Sequence, residues 1–236
     1  MMSDHDYGGH HEGHDHEGHG HEGHGHGHEN DQGLKGALRY LRWAPSMWKS
    51  EINTAVIALV APTEGEQCID IGAGVGAGAV VAARTGATVM AAEPTPFLRR
   101  VLVGRRWLQR HRIVLNVVDG TAESLPVADA SIDAIWAVNT MHHWLSLEQG
   151  VAEIARVLRP GGRMVLVDES FLDPTHPEYK RFAADSDGDH HHGFTMVGAE
   201  QMRGLFAAAG LEGVETSNRQ LAGRPVIAVT LNAWPS

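Results

Sequence analysis

The sequence predicts an α/β fold: a doubly wound sheet, mostly parallel, with an antiparallel edge strand. Three observations predict it. Short apolar runs alternate with stretches of helical period from residue 34 onward. The first run leads straight into a glycine-rich turn, Gly72-Ala-Gly74-Val-Gly76-Ala-Gly78, with a helical stretch behind it. The last two runs, 214–218 and 225–231, lie close enough in sequence to pair as a hairpin.

The elements follow in order. Helical period is read at 34–41 and 52–60, and the run 67–71 is the first strand. A helix at 79–85, a strand at 88–93, an amphipathic helix at 97–111 and a strand at 113–119 make two βα units. The run 132–139 is a strand and 147–158 has helical period, stopped by the turn Pro160-Gly161-Gly162, after which 163–168 is a buried strand. Five parallel strands result. A helix at 199–209, ended by Gly210, precedes the terminal pair.

With 236 residues and 42% hydrophobic content, the chain buries one full core, read as a domain over 34–236 behind a tail of residues 1–33. The tail is almost wholly His, Gly, Glu and Asp, which offers too little apolar surface to offset the entropy of ordering it, so disorder is expected there. The formal charge of −10 is unevenly spread: residues 1–33 hold eight acids and no Lys or Arg, leaving 21 acids against 19 bases. A nearly neutral domain argues against nucleic acid or an anionic membrane surface as partner and favours a small molecule. The single cysteine, Cys68, excludes a disulfide framework and a cysteine zinc site and suits a reducing compartment. The first thirty residues lack a basic and an apolar leader region, and no apolar stretch is long enough to span a bilayer, so a cytoplasmic protein is expected.

In such sheets ligands bind beyond the carboxyl ends of the strands near the point where strand order reverses. There the turn Asp70-Ile-Gly72-Ala-Gly74-Val-Gly76 lets a nucleotide-like ligand approach the backbone at a helix N-terminus. The same residues satisfy G-x-G-x-x-A, with Glu93 17 residues past Gly76, as a dinucleotide-binding unit would require. The glycines alone leave both ligands open.

An acid, one residue and then G-x-G-x-G resembles the first motif of the class I methyltransferases, where dinucleotide sites usually carry an apolar residue in place of Asp70. Three further segments resemble that family: GTAESLP at 120–126, SIDAIWAVNTMHHW at 131–144 and RVLRPGGRMVLVDE at 156–169. Their order is similar to the branch that includes the ubiquinone and menaquinone biosynthesis methyltransferases. The resemblance implies a Rossmann-like fold and S-adenosylmethionine as cofactor, with its methionine moiety against Gly72, Gly74 and Gly76, Asp70 near its amino end and Glu93 on the ribose hydroxyls. Where the family commonly has an acid for the adenine amino group, this chain has Thr121; its hydroxyl and the Ala122 backbone remain as adenine contacts, with Asp119 as a substitute acid. The resemblance gives Asp133 a structural role. Asn139 joins the cofactor set and, with His142, His143 and Trp144, faces the methyl acceptor. If the acceptor is a hydroxyl, amine or acidic carbon, His142 or His143 could take its proton, since imidazole titrates near neutral pH. Tyr40, Trp43, Met47 and Trp48 sit where many of these enzymes cap the pocket, and core packing explains them equally well.

Two histidine-rich segments have no place in methyl transfer. The tail repeat includes His14, His16, His19, His21, His24, His26 and His28, and a second stretch holds His190, His191 and His192 beside Asp185, Asp187 and Asp189. Imidazoles with nearby carboxylates suit nickel or zinc, in many weak alternative sites and not in one fixed geometry. The competing functional reading is a metal-handling protein built on an inactive methyltransferase fold; a nicotinamide-dependent oxidoreductase is the third.

Overall fold

A computed structural model describes residues 48–109, 113–180, 183 and 197–233. The histidine-rich stretches, the helix expected at 34–41 and Tyr40, Trp43 and Met47 lie outside the described residues. Among the described residues seven strands form one sheet in the order β3-β2-β1-β4-β5-β7-β6. In chain order the elements are α1 (Glu51–Val60), β1 (Gln67–Ile71), α2 (Ala77–Ala83), β2 (Thr88–Ala92), α3 (Pro96–Leu108), β3 (Val114–Val118) and β4 (Ile132–Val138). A 3-10 turn (Met141–His143) then leads to α4 (Leu147–Val157), β5 (Leu158–Glu169), α5 (Ala199–Ala208), β6 (Glu215–Leu221) and β7 (Arg224–Leu231). Strands β1 to β5 are parallel, β7 runs antiparallel to β5, and β6 closes the edge antiparallel to β7.

Period-2 alternation along the central strands divides the core into two layers. Ile69 and Ile71 of β1, Ile135 and Ala137 of β4, and Met164 and Leu166 of β5 pack with Ile154 of α4 and Phe206 of α5. The intervening Cys68, Ala134, Trp136, Val165 and Val167 pack with Ile52, Val56 and Val60 of α1 and with Ala79 and Val80 of α2. Asp70 belongs by register to this second layer, so a carboxyl points into apolar surroundings.

The strand β5 corrects one expectation. Pro160-Gly161-Gly162 does not interrupt between helix and strand; β5 runs through it from Leu158. Register explains how. Ile132 pairs with Leu158 while Ala134, two residues on, pairs with Arg163, so the extra residues of β5 bulge out of the ladder. Gly161, at φ +78, supplies the left-handed step, and α4 ends one residue before the strand begins. Just past the bulge, Arg163 donates to both carboxylate oxygens of Glu66 at 2.8 and 2.7 Å and to the carbonyls of Val60 and Ala61, tying the end of α1 to β5.

Candidate active site

The reversal of strand order lies between β1 and β4, and the site forms where these two strands end. Leaving β1, the chain takes left-handed steps at Gly72 (φ +69), Gly74 (φ +53) and Gly76 (φ +76). Each glycine is needed for a different reason. A Cβ on Gly76 would lie 2.1 Å from Leu102 Cδ1 of α3, and one on Gly72 would lie 2.6 Å from Thr140 Oγ1 at the end of β4. A Cβ on Gly74 would meet nothing within 4 Å, so this is the side on which a ligand can approach the backbone.

Glu93, immediately after β2, is buried and spans this turn: Oε2 accepts from the Gly74 amide at 2.8 Å and Oε1 from the Thr95 amide at 2.8 Å. A carboxylate oxygen has a second lone pair, so these bonds orient Glu93 without exhausting it. Asp70 is buried under the turn. Burial pushes its carboxyl up to about 7, opposed by the indole N–H of Trp136 and the amide of Ala79. Trp48, the first described residue, lies beside the same turn, its ring 5.4 Å from the Arg105 guanidinium, which also donates to the Val75 carbonyl at 3.0 Å.

The adenine-side candidates are separated. Ala122 is buried, whereas Thr121 is half-buried in a small bridge with Ser124. Asp119 is 72% exposed and its two oxygens accept from Arg99 at 2.9 and 3.0 Å. Asp133 lies at the far end of β4, where it accepts from the Gln67 amide at 2.6 Å and pairs with Arg159.

Beyond β4 the chain turns at Asn139 (φ +55) into the 3-10 turn. Asp168, near the end of β5, receives this turn. Its Oδ1 accepts from the Thr140 amide at 3.0 Å and the Met141 amide at 3.3 Å, and its Oδ2 from the His142 amide at 3.0 Å. The same Oδ2 lies 3.0 Å from His142 Nδ1. A carboxylate can only accept, so the Nδ1 proton is fixed toward Asp168 and the imidazole lone pair sits on Nε2. His143 is exposed, its ring centroid 4.1 Å from that of His142. Trp144 is buried and donates to Thr140 Oγ1 at 3.0 Å.

Asn139 does not point toward the glycine turn through its amide; that amide pairs reciprocally with the next residue of β5. Asn139 Nδ2 donates to Glu169 Oε1 at 2.6 Å, and the Glu169 amide donates to Asn139 Oδ1 at 2.8 Å. The other carboxylate oxygen of Glu169 takes Arg224 Nη1 at 2.6 Å and His176 Nε2 at 2.9 Å. These donors hold the Glu169 carboxyl below the usual carboxylate range despite burial, which opposes them.

Sequence reasoning therefore brought together Asp70, Gly72, Gly74, Gly76 and Glu93 on one side and Asn139, His142 and His143 on the other. It missed Thr140, Asp168, Glu169, His176 and Arg224. The acid pair at the end of a central parallel strand was a usable signal for two of these. His176 and Arg224 carried none, because only the fold brings 176 and 224 to that strand end. Among the described residues no three of His, Cys, Asp and Glu meet as a metal site.

A methyltransferase-domain family profile matches residues 69–166, from β1 to β5 and so across both sides of this site. The match covers these residues alone and is to a methyltransferase domain. Methyltransferase GfsG of Streptomyces halstedii is 39% identical to the chain over 107 residues, which is 44% of this chain and 38% of that protein. The demethylmenaquinone methyltransferase of Tropheryma whipplei (strain Twist) is 33% identical over 133 residues, 54% of each chain. The chain thus spans 38% and 54% of the lengths of these two relatives. Among solved structures, a methyltransferase assigned to an antibiotic biosynthesis pathway of Anabaena variabilis is 25% identical, with a TM-score of 0.58 over 71% of this chain and 64% of its own. An S-adenosylmethionine-dependent methyltransferase of Methanococcus maripaludis shares the fold at 16% identity, with a TM-score of 0.64 over 86% of this chain and 94% of its own. Within the matched segment, the glycine turn and Glu93 suit an adenosyl cofactor: an open approach at Gly74, backbone in place of side chains, and a carboxylate able to accept from two neighbouring hydroxyls. No helix among the described residues is long and apolar enough to cross a membrane.

Proposed function

We propose that this protein transfers a methyl group from S-adenosylmethionine to a small-molecule acceptor in the cytoplasm, with His142 as general base. The observation that carries the reading is the His142–Asp168 pair, 3.0 Å apart on the turn that touches the glycine loop. The bound cofactor supplies a methyl group on a sulfonium, open to in-line displacement. Gly72, Gly74 and Gly76 present backbone to it, Glu93 holds the ribose hydroxyls, Asp70 supports the turn from beneath, Asp119, Thr121 and Ala122 are the adenine-side candidates, and Asn139 shapes the facing turn. His142, its Nδ1–H held by Asp168, takes the acceptor's proton on Nε2, and the Asp168 carboxylate stabilises the imidazolium that results. His143, beside it, is the alternative base. Most of the rate comes from holding the reacting partners in line in a space that excludes water.

The relatives named demethylmenaquinone methyltransferases make a reduced naphthoquinol the first acceptor to try, alongside phenols and amines. Transfer of a labelled methyl group from S-adenosylmethionine to one of these is the test. Glu93→Ala is expected to weaken cofactor binding at least tenfold by calorimetry, and His142→Ala to lower turnover about 100-fold or more with cofactor affinity within threefold. Absence of cofactor binding by the native, metal-stripped chain would end the reading.

We further propose that the histidine-rich stretches, His14 to His28 and His190 to His192, take nickel or zinc as an accessory property. Equilibrium dialysis should then show binding that fails as pH falls below about 6.5. Metal content unchanged by deletion of residues 1–33 would refute the role given to the tail.

A further inference from the structure

Two adjacent acids at the end of β5 grip the same turn from different sides. Asp168 takes the amides of residues 140 to 142 and the ring of His142, and Glu169 takes the residue before them, Asn139. Asn139 is the pivot of the turn. Its backbone is left-handed at φ +55, a conformation that costs an L residue about 1 kcal/mol and persists where surroundings enforce it. Its backbone amide donates to the Val167 carbonyl at 2.8 Å, and its side chain is held twice by Glu169: side-chain amide to carboxylate at 2.6 Å, and the Glu169 amide to the side-chain carbonyl at 2.8 Å. Were Asn139 to relax, the three amides that follow it would no longer converge on Asp168, and His142 Nδ1 would lose its acceptor.

Glu169 is itself held by two groups from outside the turn. His176 has a fully buried side chain whose Nδ1 accepts from the Glu178 amide at 3.0 Å, which places its proton on Nε2, facing Glu169 Oε2 at 2.9 Å. Arg224, at the start of β7, donates to the same oxygen at 2.6 Å. Both carboxylate oxygens of Glu169 and both ring nitrogens of His176 have partners, which is the condition under which a buried polar cluster specifies one geometry.

We propose that Glu169 is a positioning residue for methyl transfer: acting through Asn139, it fixes the exit of β4 and with it the Nδ1–H tautomer of His142. Its relevance to catalysis rests on His142 being the base, but the positioning itself is measurable without turnover. In the full chain labelled with 15N-histidine, long-range proton–nitrogen correlation reads the tautomer of His142, assigned by its loss in His142→Gln. The native protein is expected to show Nδ1–H, and Asp168→Asn to lose it. In Glu169→Gln the new carbonyl satisfies His176 and Arg224, which leaves its NH2 facing the NH2 of Asn139. Those two donors repel, and His142 should shift to a mixture containing Nε2–H. Adding Asn139→Asp turns the opposing group into an acceptor that still takes the residue-169 amide, so the double variant should regain Nδ1–H.

If Glu169→Gln fails to fold, Asn139→Ala cuts the same contact while leaving the buried carboxylate paired with His176 and Arg224, and the same shift is expected. Retention of pure Nδ1–H in these variants, with only a lower melting temperature, overturns the proposal, as does failure of the double variant to restore it. Undiminished methyl transfer by His142→Ala would instead sink the base assignment and leave the tautomer result standing.

Discussion

Asp70 shows how a strand's alternation can place a charge where it is least at home. Its neighbours in register are the apolar residues of the layer under α1 and α2, and its carboxyl is pushed from about 3.8 to about 7. A folded-state value above the unfolded one means that the folded protein holds this proton more tightly. The group therefore favours folding at low pH and loses that contribution as pH rises from about 4 through 7. Asp70→Asn, measured without cofactor, is expected to gain stability over the native chain at pH 8, by up to about 4 kcal/mol, with the gap closing by pH 4. A gap that does not change with pH would show that Asp70 is not the group responsible. At this scale the sequence disclosed residue types at strand ends and withheld partners. Asp70, Glu93 and His142 could be read from their positions at or after strand ends, whereas the Asn139–Glu169 and His142–Asp168 pairings depend on the register between β4 and β5, which no local pattern encodes.

Among the elements, the glycine turn has the narrowest tolerance. Gly76→Ala would strain the backbone at φ +76 and drive its methyl into Leu102 Cδ1, 2.1 Å away, so a loss of about 3 kcal/mol in urea unfolding is expected. A change below 0.5 kcal/mol would mean that α3 shifts freely relative to the turn. The clamp between α1 and β5 responds to acid. Hydrogen bonds from Arg163 hold the Glu66 carboxyl down at about 2, so its stabilisation is present above pH 4.5 and lost as pH falls toward 2. Arg163→Met should cost about 2 kcal/mol at pH 7, with the difference shrinking across that acid range in thermal melts. Element boundaries were legible within a few residues wherever apolar periodicity was strong: β1 begins and ends at the predicted residues, and α4 ends one residue short of its expected limit. The Pro160-Gly161-Gly162 segment was misread because those residue types mark both loops and bulges, and only strand pairing tells the two apart.

For the molecule as a whole, the five parallel strands and the antiparallel pair at the edge match the expected architecture, because βα alternation and a short final connection leave little topological freedom. Charge is more segregated than its total implies: of the 29 acids, eight lie in residues 1–33. Deleting residues 1–33 is expected to leave cofactor affinity within twofold and the melting temperature within about 2 °C, since the residues placed on both sides of the site all lie between 70 and 169. A tenfold loss of affinity would show that the tail reaches the pocket. The two sides meet where Thr140 leaves no room for a Cβ on Gly72. Bulk at one position can be accommodated only by giving it up at the other. In a library randomised at both, survivors should be pairs whose joint volume stays near that of the native two, so new acceptor preferences would have to arise at the pocket's rim.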